Sequence, residues 1–281
     1  MGFIVAAATI MVLGLLWALR AVFLVCRDAG EEDTLFDQVL LAVPTAALSE
    51  CSRQAESMFE TAEAGLKMAL ELFQQYDSAK AQMVLAKKRE LDQYEEQLSA
   101  CIAKIPGHAL SEEEVRQRVK LNLTIGNIQA LGTCAVKLKK LAEKGEEMEV
   151  LLTEADRRDL LVVSEAMEEL VHLLALAYHT GDLEAVPQAQ ALKKVIVGLL
   201  LQLKTSVVVC LKNGTISADA CYVLSCVYMD CEDVLEIAQM IQGGIERTAP
   251  ARRKKRSLRE ELTHGDADQT ALVQYAIKYS I

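Results

Sequence analysis

The sequence predicts an all-α chain, with one N-terminal transmembrane helix followed by two tandem three-helix bundles. Three observations carry that expectation. The 281 residues are 52% hydrophobic but only 5% aromatic, an aliphatic composition typical of packed helices, and strand signals are nearly absent. Only four prolines occur, and Pro44, Pro106 and Pro250 fall where apolar periodicity starts or stops, so they act as punctuation. Finally, residues 110–141 (LSEEEVRQRVKLNLTIGNIQALGTCAVKLKKL) find an echo about a hundred residues later in 215–241 (TISADACYVLSCVYMDCEDVLEIAQMI). Each opens with a polar cap and an acidic first turn, Ser111 with Glu114 and Ser217 with Asp219, and runs on without proline.

Residues 3–26, FIVAAATIMVLGLLWALRAVFLVC, hold one charge in 24 positions. At 1.5 Å per residue they reach roughly 36 Å, enough to cross a hydrocarbon core of about 30 Å with some tilt. A secretory signal would have a basic n-region, a shorter apolar run and a small-x-small cleavage site. Leu24-Val25-Cys26 resembles a lipoprotein cleavage box only loosely, since Val25 stands where a small residue belongs. Arg20 and Arg27 lie toward the carboxyl end of the span, so the positive-inside tendency puts the remainder of the chain in the cytoplasm. The expected location is the inner membrane, single-pass, with the bulk of the chain cytoplasmic.

The expected organisation is a transmembrane helix at 1–27, a polar juxtamembrane linker at 28–43, a first half at 44–148, a second half at 149–249 and a basic tail at 250–281. Within the halves, periodicity predicts helices at 44–76, 78–104 and 111–143, then at 153–180, 183–211 and 217–242. In the third, Val115, Val119, Leu123, Ile125, Ile128, Leu131, Ala135 and Leu138 form an apolar stripe for burial. Asp77-Ser78, Pro106-Gly107, Gly181-Asp182 and Asn213-Gly214 supply the turns. Pro187 should bend or restart the fifth helix, and the halves could pack end to end or side by side. Residues beyond 257 could form one weak helix or none.

A formal charge of −10 argues against a nucleic-acid partner, because phosphate contacts need a basic surface and the run at Arg252–Arg256 is short. That run could touch anionic lipid or remain a solvated tail. The eight cysteines, at 26, 51, 101, 134, 210, 221, 226 and 231, lack the close pairs of a zinc site and read as reduced, mostly buried cytoplasmic thiols. His172 and His179 share a face but sit too far apart on one helix to ligate a metal together, and His108 and His264 read as exposed. Acid pairs Glu232 and Glu236, Glu165 and Glu169, and Glu90 and Asp92 read as solvated helix faces before they read as metal or acid/base sites. No phosphate loop and no paired nucleophile and base is found, so neither an enzyme nor a bound cofactor is expected.

The layout of both third helices, the junction LFDQVLLAVPTAAL at 35–48 and the charged strip KKRELDQYE at 87–95 resemble the PhoU-like domain at the carboxyl end of bacterial sodium/phosphate cotransporters. The resemblance runs from about Phe36 to Gln242. It implies a regulatory helical module that assembles with a membrane transport domain or subunit. In that family each third helix carries an acid followed four residues later by an aspartate, one turn apart on one face, where oxygen-binding cations are held. The matching positions here are Gln129 and Thr133 in the first half and Tyr228 and Glu232 in the second, so three of the four acids are missing. Lys193-Lys194-Val195-Ile196-Val197 likewise replaces the acidic strip of the fifth helix. No metal is therefore carried over.

One span cannot transport. The expected function is that of a membrane-tethered cytoplasmic module of a sodium-dependent phosphate transporter-like protein, regulating or assembling with the transport domain. Its partners would be that domain, the lipid bilayer and, if apolar remnants of the bundle self-associate, a second copy. The alternative is a membrane-anchored helical scaffold or adaptor unrelated to phosphate. A metal-dependent enzyme on a helical bundle is a third reading, which stoichiometric metal in the purified protein would favour.

Overall fold

The computed structural model describes residues 43–180, 183, 185–249 and 265–280. The predicted membrane span, its linker, Cys26, the Gly181-Asp182 turn, the basic run at 252–256 and His264 lie outside the described residues. Seven α-helices and one 3-10 turn account for nearly all of the described chain, and no strand occurs among the described residues. The helices are α1 Pro44–Glu71, α2 Ser78–Lys104, α3 Glu112–Glu147, α4 Glu154–Thr180, α5 Ala185–Lys212, α6 Ala218–Thr248 and α7 Gly265–Lys278.

Local chemistry sets most of the ends. Asp77 caps α2 by accepting from the Ala79 amide at 2.8 Å, and Ser217 caps α6 by accepting from the Ala220 amide at 3.0 Å. Ser111 and Glu114 form a reciprocal capping box at α3, as Thr153 and Asp156 do at α4. Two helices stop alike. The Val150 amide reaches back to the Gly145 carbonyl and the Thr215 amide to the Cys210 carbonyl, closing α3 and α5 around residues with φ of 51° at Glu149 and 70° at Gly214. Glycine takes the left-handed conformation without strain, whereas Glu149 does so against its side chain.

Some expected boundaries move for physical reasons. The first helix ends at Glu71, because Leu72 and Phe73 turn inward as buried residues of the connection to α2. The third runs on to Glu147 and the sixth to Thr248, so both cover more of the seam between the halves than periodicity suggested. Pro187 does not interrupt α5, which runs unbroken from Ala185 to Lys212. It stands in the first turn of α5, where the missing amide hydrogen has no partner to lose.

The first half packs α1 on α2 and α3, the second packs α5 on α4 and α6, and the halves lie side by side. They meet where α3 lies along α6 and α1 along α4. The second seam is antiparallel, as its polar rungs show: Glu56 faces His179 at 3.7 Å, Glu63 faces His172 at 3.1 Å and Lys67 faces Glu168 at 2.8 Å. One continuous apolar interior results, with Phe59, Met58, Leu121, Tyr178 and Tyr228 among its fully buried side chains. The stripe expected on α3 is buried from Ile125 through Leu138, but Val115 and Val119 are exposed. Leu121 and Thr124 take the inner position instead, because the face that meets both α1 and α6 is rotated from the one chosen by periodicity. Residues beyond 264 form α7, which lies on α5 and ends with a buried Tyr279.

Candidate functional site

The positions singled out by the resemblance lie on α3 and α6, and the structure does not bring them together as a carboxylate cluster. Gln129 is half-buried and donates to Asp92 of α2, which also accepts from Lys88. Burial pushes the Asp92 carboxyl up, but these hydrogen bonds outweigh it and hold the pKa below the ordinary value. Thr133 faces solvent. Tyr228 is 1% exposed, and burial drives its hydroxyl well above the usual tyrosine range. Glu232 pairs with Lys204 of α5. These four positions do not suit a hard divalent cation: they offer one carboxylate, and a lysine already neutralises it.

A lysine ammonium neutralises an acid beside them as well. Lys137 of α3 holds Asp233 of α6 at 2.7 Å across the seam. Asp230, on the same stretch, has its carboxyl raised by burial, with Lys137 partly opposing and Asp233 adding to the rise. Cys134 and Cys231 lie nearby, and burial pushes their thiols up to about 11 and about 12. They are packing thiols, held neutral. Among the described residues no group of three or more histidine, cysteine, aspartate or glutamate side chains converges on a metal position. Glu90 accepts from Lys87 at 3.1 Å, and Glu169 is held by Lys278 at 2.6 Å. His172 and His179 each face a glutamate of α1, and His108 is exposed in the 3-10 turn Gly107–Ala109.

One cluster has no counterpart among the sequence expectations. Lys120 of α3 reaches across to α4, donating to the Tyr178 carbonyl at 3.1 Å with its ammonium 4.2 Å from the Tyr178 ring centroid. Burial lowers its pKa, and Glu56 only partly restores it. The Thr124 hydroxyl donates to the Lys120 carbonyl at 2.8 Å, while the Phe59 ring packs against Tyr178 in a tilted arrangement, 5.7 Å between centroids. The one available signal was Tyr178 itself, an aromatic within an otherwise aliphatic helix.

Among the described residues, α5 carries a run of exposed large apolar side chains. Its inner face, including Leu192, Ile196, Leu200 and Leu203, is core. Its outer face carries Val197, Leu201 and Val208, which are 50%, 67% and 61% exposed. Among the described residues this helix alone is long and apolar enough to cross a membrane, with a mean hydropathy of 1.9 over a stretch only 28% buried. Its four charges are all lysines: 193, 194, 204 and 212. Lys193 bonds Gln239 and Lys204 bonds Glu232, while Lys194 and Lys212 are exposed beside the apolar stripe.

No curated protein sequence matches the chain. The family model described as the PhoU domain matches residues 55–142, which span most of α1 through α3. Among solved structures, the crystal structure of PhoU from Pseudomonas aeruginosa superposes with a TM-score of 0.66 at 14% identity, covering 72% of this chain and 97% of that one. Residues 55–142 are thus similar to the PhoU domain, and the described chain shares the fold of PhoU.

Proposed function

We propose that this protein is a membrane-tethered cytoplasmic PhoU-like module that regulates or assembles with the transport domain of a sodium-dependent phosphate transporter-like protein. The observation that supports the reading best is the outer face of α5. A helix with a mean hydropathy of 1.9 that keeps Val197, Leu201 and Val208 in solvent, in a chain of net charge −10, is built to be covered. Exclusively basic charge on that helix suits the cytoplasmic face of a membrane protein and the anionic lipid around it. The module acts by binding in this reading: three of the family's four acids are replaced by Gln129, Thr133 and Tyr228, and the remaining one, Glu232, is paired with Lys204.

The same face would also serve a membrane-anchored scaffold that covers α5 with a second copy. Co-purification of the full chain from solubilised membranes separates the two. A multi-span phosphate transporter recovered with the chain supports the module, whereas a homo-oligomer recovered without one supports the scaffold. Phosphate uptake by cells that gain this chain alone would contradict both.

A further inference from the structure

Cys51 lies near the start of α1 and Cys101 in the last turn of α2, where the two antiparallel helices meet. The Cys51 Sγ donates to the Cys101 Sγ at 3.1 Å. A disulfide needs about 2.05 Å between sulfurs, so the remaining gap is about 1 Å. The pair is also reachable. A narrow cleft of about 30 Å³, lined by Glu50, Cys51, Gln54, Tyr94, Leu98 and Cys101, opens beside the sulfurs and has room for a molecule of water size. Cys51 is buried, whereas Cys101 is partly exposed.

We propose that Cys51 and Cys101 form a reversible redox pair whose oxidation by a hydroperoxide locks α1 to α2. The two thiols have different roles. The Cys101 sulfur, on the open side, attacks one oxygen of the smallest hydroperoxide, hydrogen peroxide, and becomes a sulfenic acid, releasing water. The Cys51 sulfur then attacks the Cys101 sulfur, the S–O bond breaks, and the hydroxyl leaves as a second molecule of water with the Cys51 proton. Two thiols lose two hydrogens, and the hydroperoxide gains them. A dithiol reductant reverses the change by thiol–disulfide exchange. The hydrogen bond to Cys101 and burial both keep Cys51 protonated, consistent with its acting second.

The consequence falls at the uncapped start of α1. The first turn of α1 has Val43 at its cap position with no side-chain cap, unlike α2, α3 and α6. A bond from Cys51 to the end of α2 fixes that uncapped end, next to the point where the chain enters from residues 1–42. Transient disulfides of this kind are the sort that reducing compartments tolerate. The inference does not depend on the membrane association proposed above.

The test uses the full-length reduced protein exposed to limiting hydrogen peroxide, digested without reduction and mapped by mass spectrometry. The expected result is a loss of two titratable thiols, a dominant peptide pair joining Cys51 to Cys101, and full return of both thiols with dithiothreitol. In Cys51→Ser a sulfenic acid at Cys101 should accumulate and react with dimedone, while in Cys101→Ser that labelling should be lost. Unchanged thiols, dominant coupling or dimedone labelling at Cys210, Cys221 or Cys226, or a cross-link that dithiothreitol does not reverse would each overturn the proposal. The wild-type mapping decides the matter even if a variant folds poorly.

Discussion

At the scale of single residues, conformational strain and close approach give sharper expectations than charge. Glu149 holds φ at 51° to let the Val150 amide close α3, in the place where Gly214 serves α5. Glu149→Gly should therefore raise the unfolding free energy by about 1 kcal/mol, the order of the left-handed penalty that glycine avoids. Urea unfolding of the purified protein would show it. Gly244 has the opposite character, since a Cβ there would meet the Thr124 methyl at 2.7 Å across the α3–α6 seam. Gly244→Val should cost about 1–3 kcal/mol, as overpacking does, and the same unfolding curve reads it. Two residues four apart on α6 show why the candidate site was only half legible in the sequence. The spacing of Tyr228 and Glu232 was plain, and so was the absence of three of the four acids. That one would be fully buried and the other held by Lys204 depends on how α5 and the first half pack around α6, and no local pattern encodes that.

At the scale of elements, helix identity and turn chemistry were open to reading, and rotation about the helix axis was not. Asp77, Ser111, Ser217 and Gly214 stand at ends that local hydrogen bonding determines, so they were found where expected. The α3 stripe went astray at Val115 and Val119, because a helix packed on three neighbours, α1, α2 and α6, buries more than one face, and a single periodic stripe describes only one. The last helix offers a pH test. The Glu169 carboxyl is pushed up by burial but held below its ordinary value of 4.5 by the hydrogen bonds from Lys278 and Tyr279. Its folded pKa is thus below the unfolded one, so this contribution to α7 docking is full above about 4.5 and lost as pH falls through the folded value. Hydrogen exchange at residues 270–280 should accelerate selectively on acidification through that window, and Glu169→Gln should remove the selectivity while leaving α1 to α3 unaffected. On α5, Leu201→Glu is expected to change stability by no more than about 0.5 kcal/mol, since the side chain is 67% exposed. Its effect should fall on association.

At the scale of the whole molecule, two successive sets of three helices were legible in lengths and turns, and their side-by-side packing was not. The decision rests on long antiparallel seams, α3 on α6 and α1 on α4, whose rungs join residues roughly a hundred positions apart, such as Lys137 with Asp233 and Lys67 with Glu168. The result is an aliphatic body that leaves Val197, Leu201 and Val208 exposed on the outer face of α5, and the proposed function rests on what covers that face. The most direct measurement places a photoreactive residue at Leu201 in the full-length chain, irradiates intact membranes and identifies the adduct by mass spectrometry. The account predicts an adduct with a multi-span transport protein, lost when Val197 and Val208 are changed to glutamate. An adduct only with a second copy of the chain, or one that survives those changes, would contradict it.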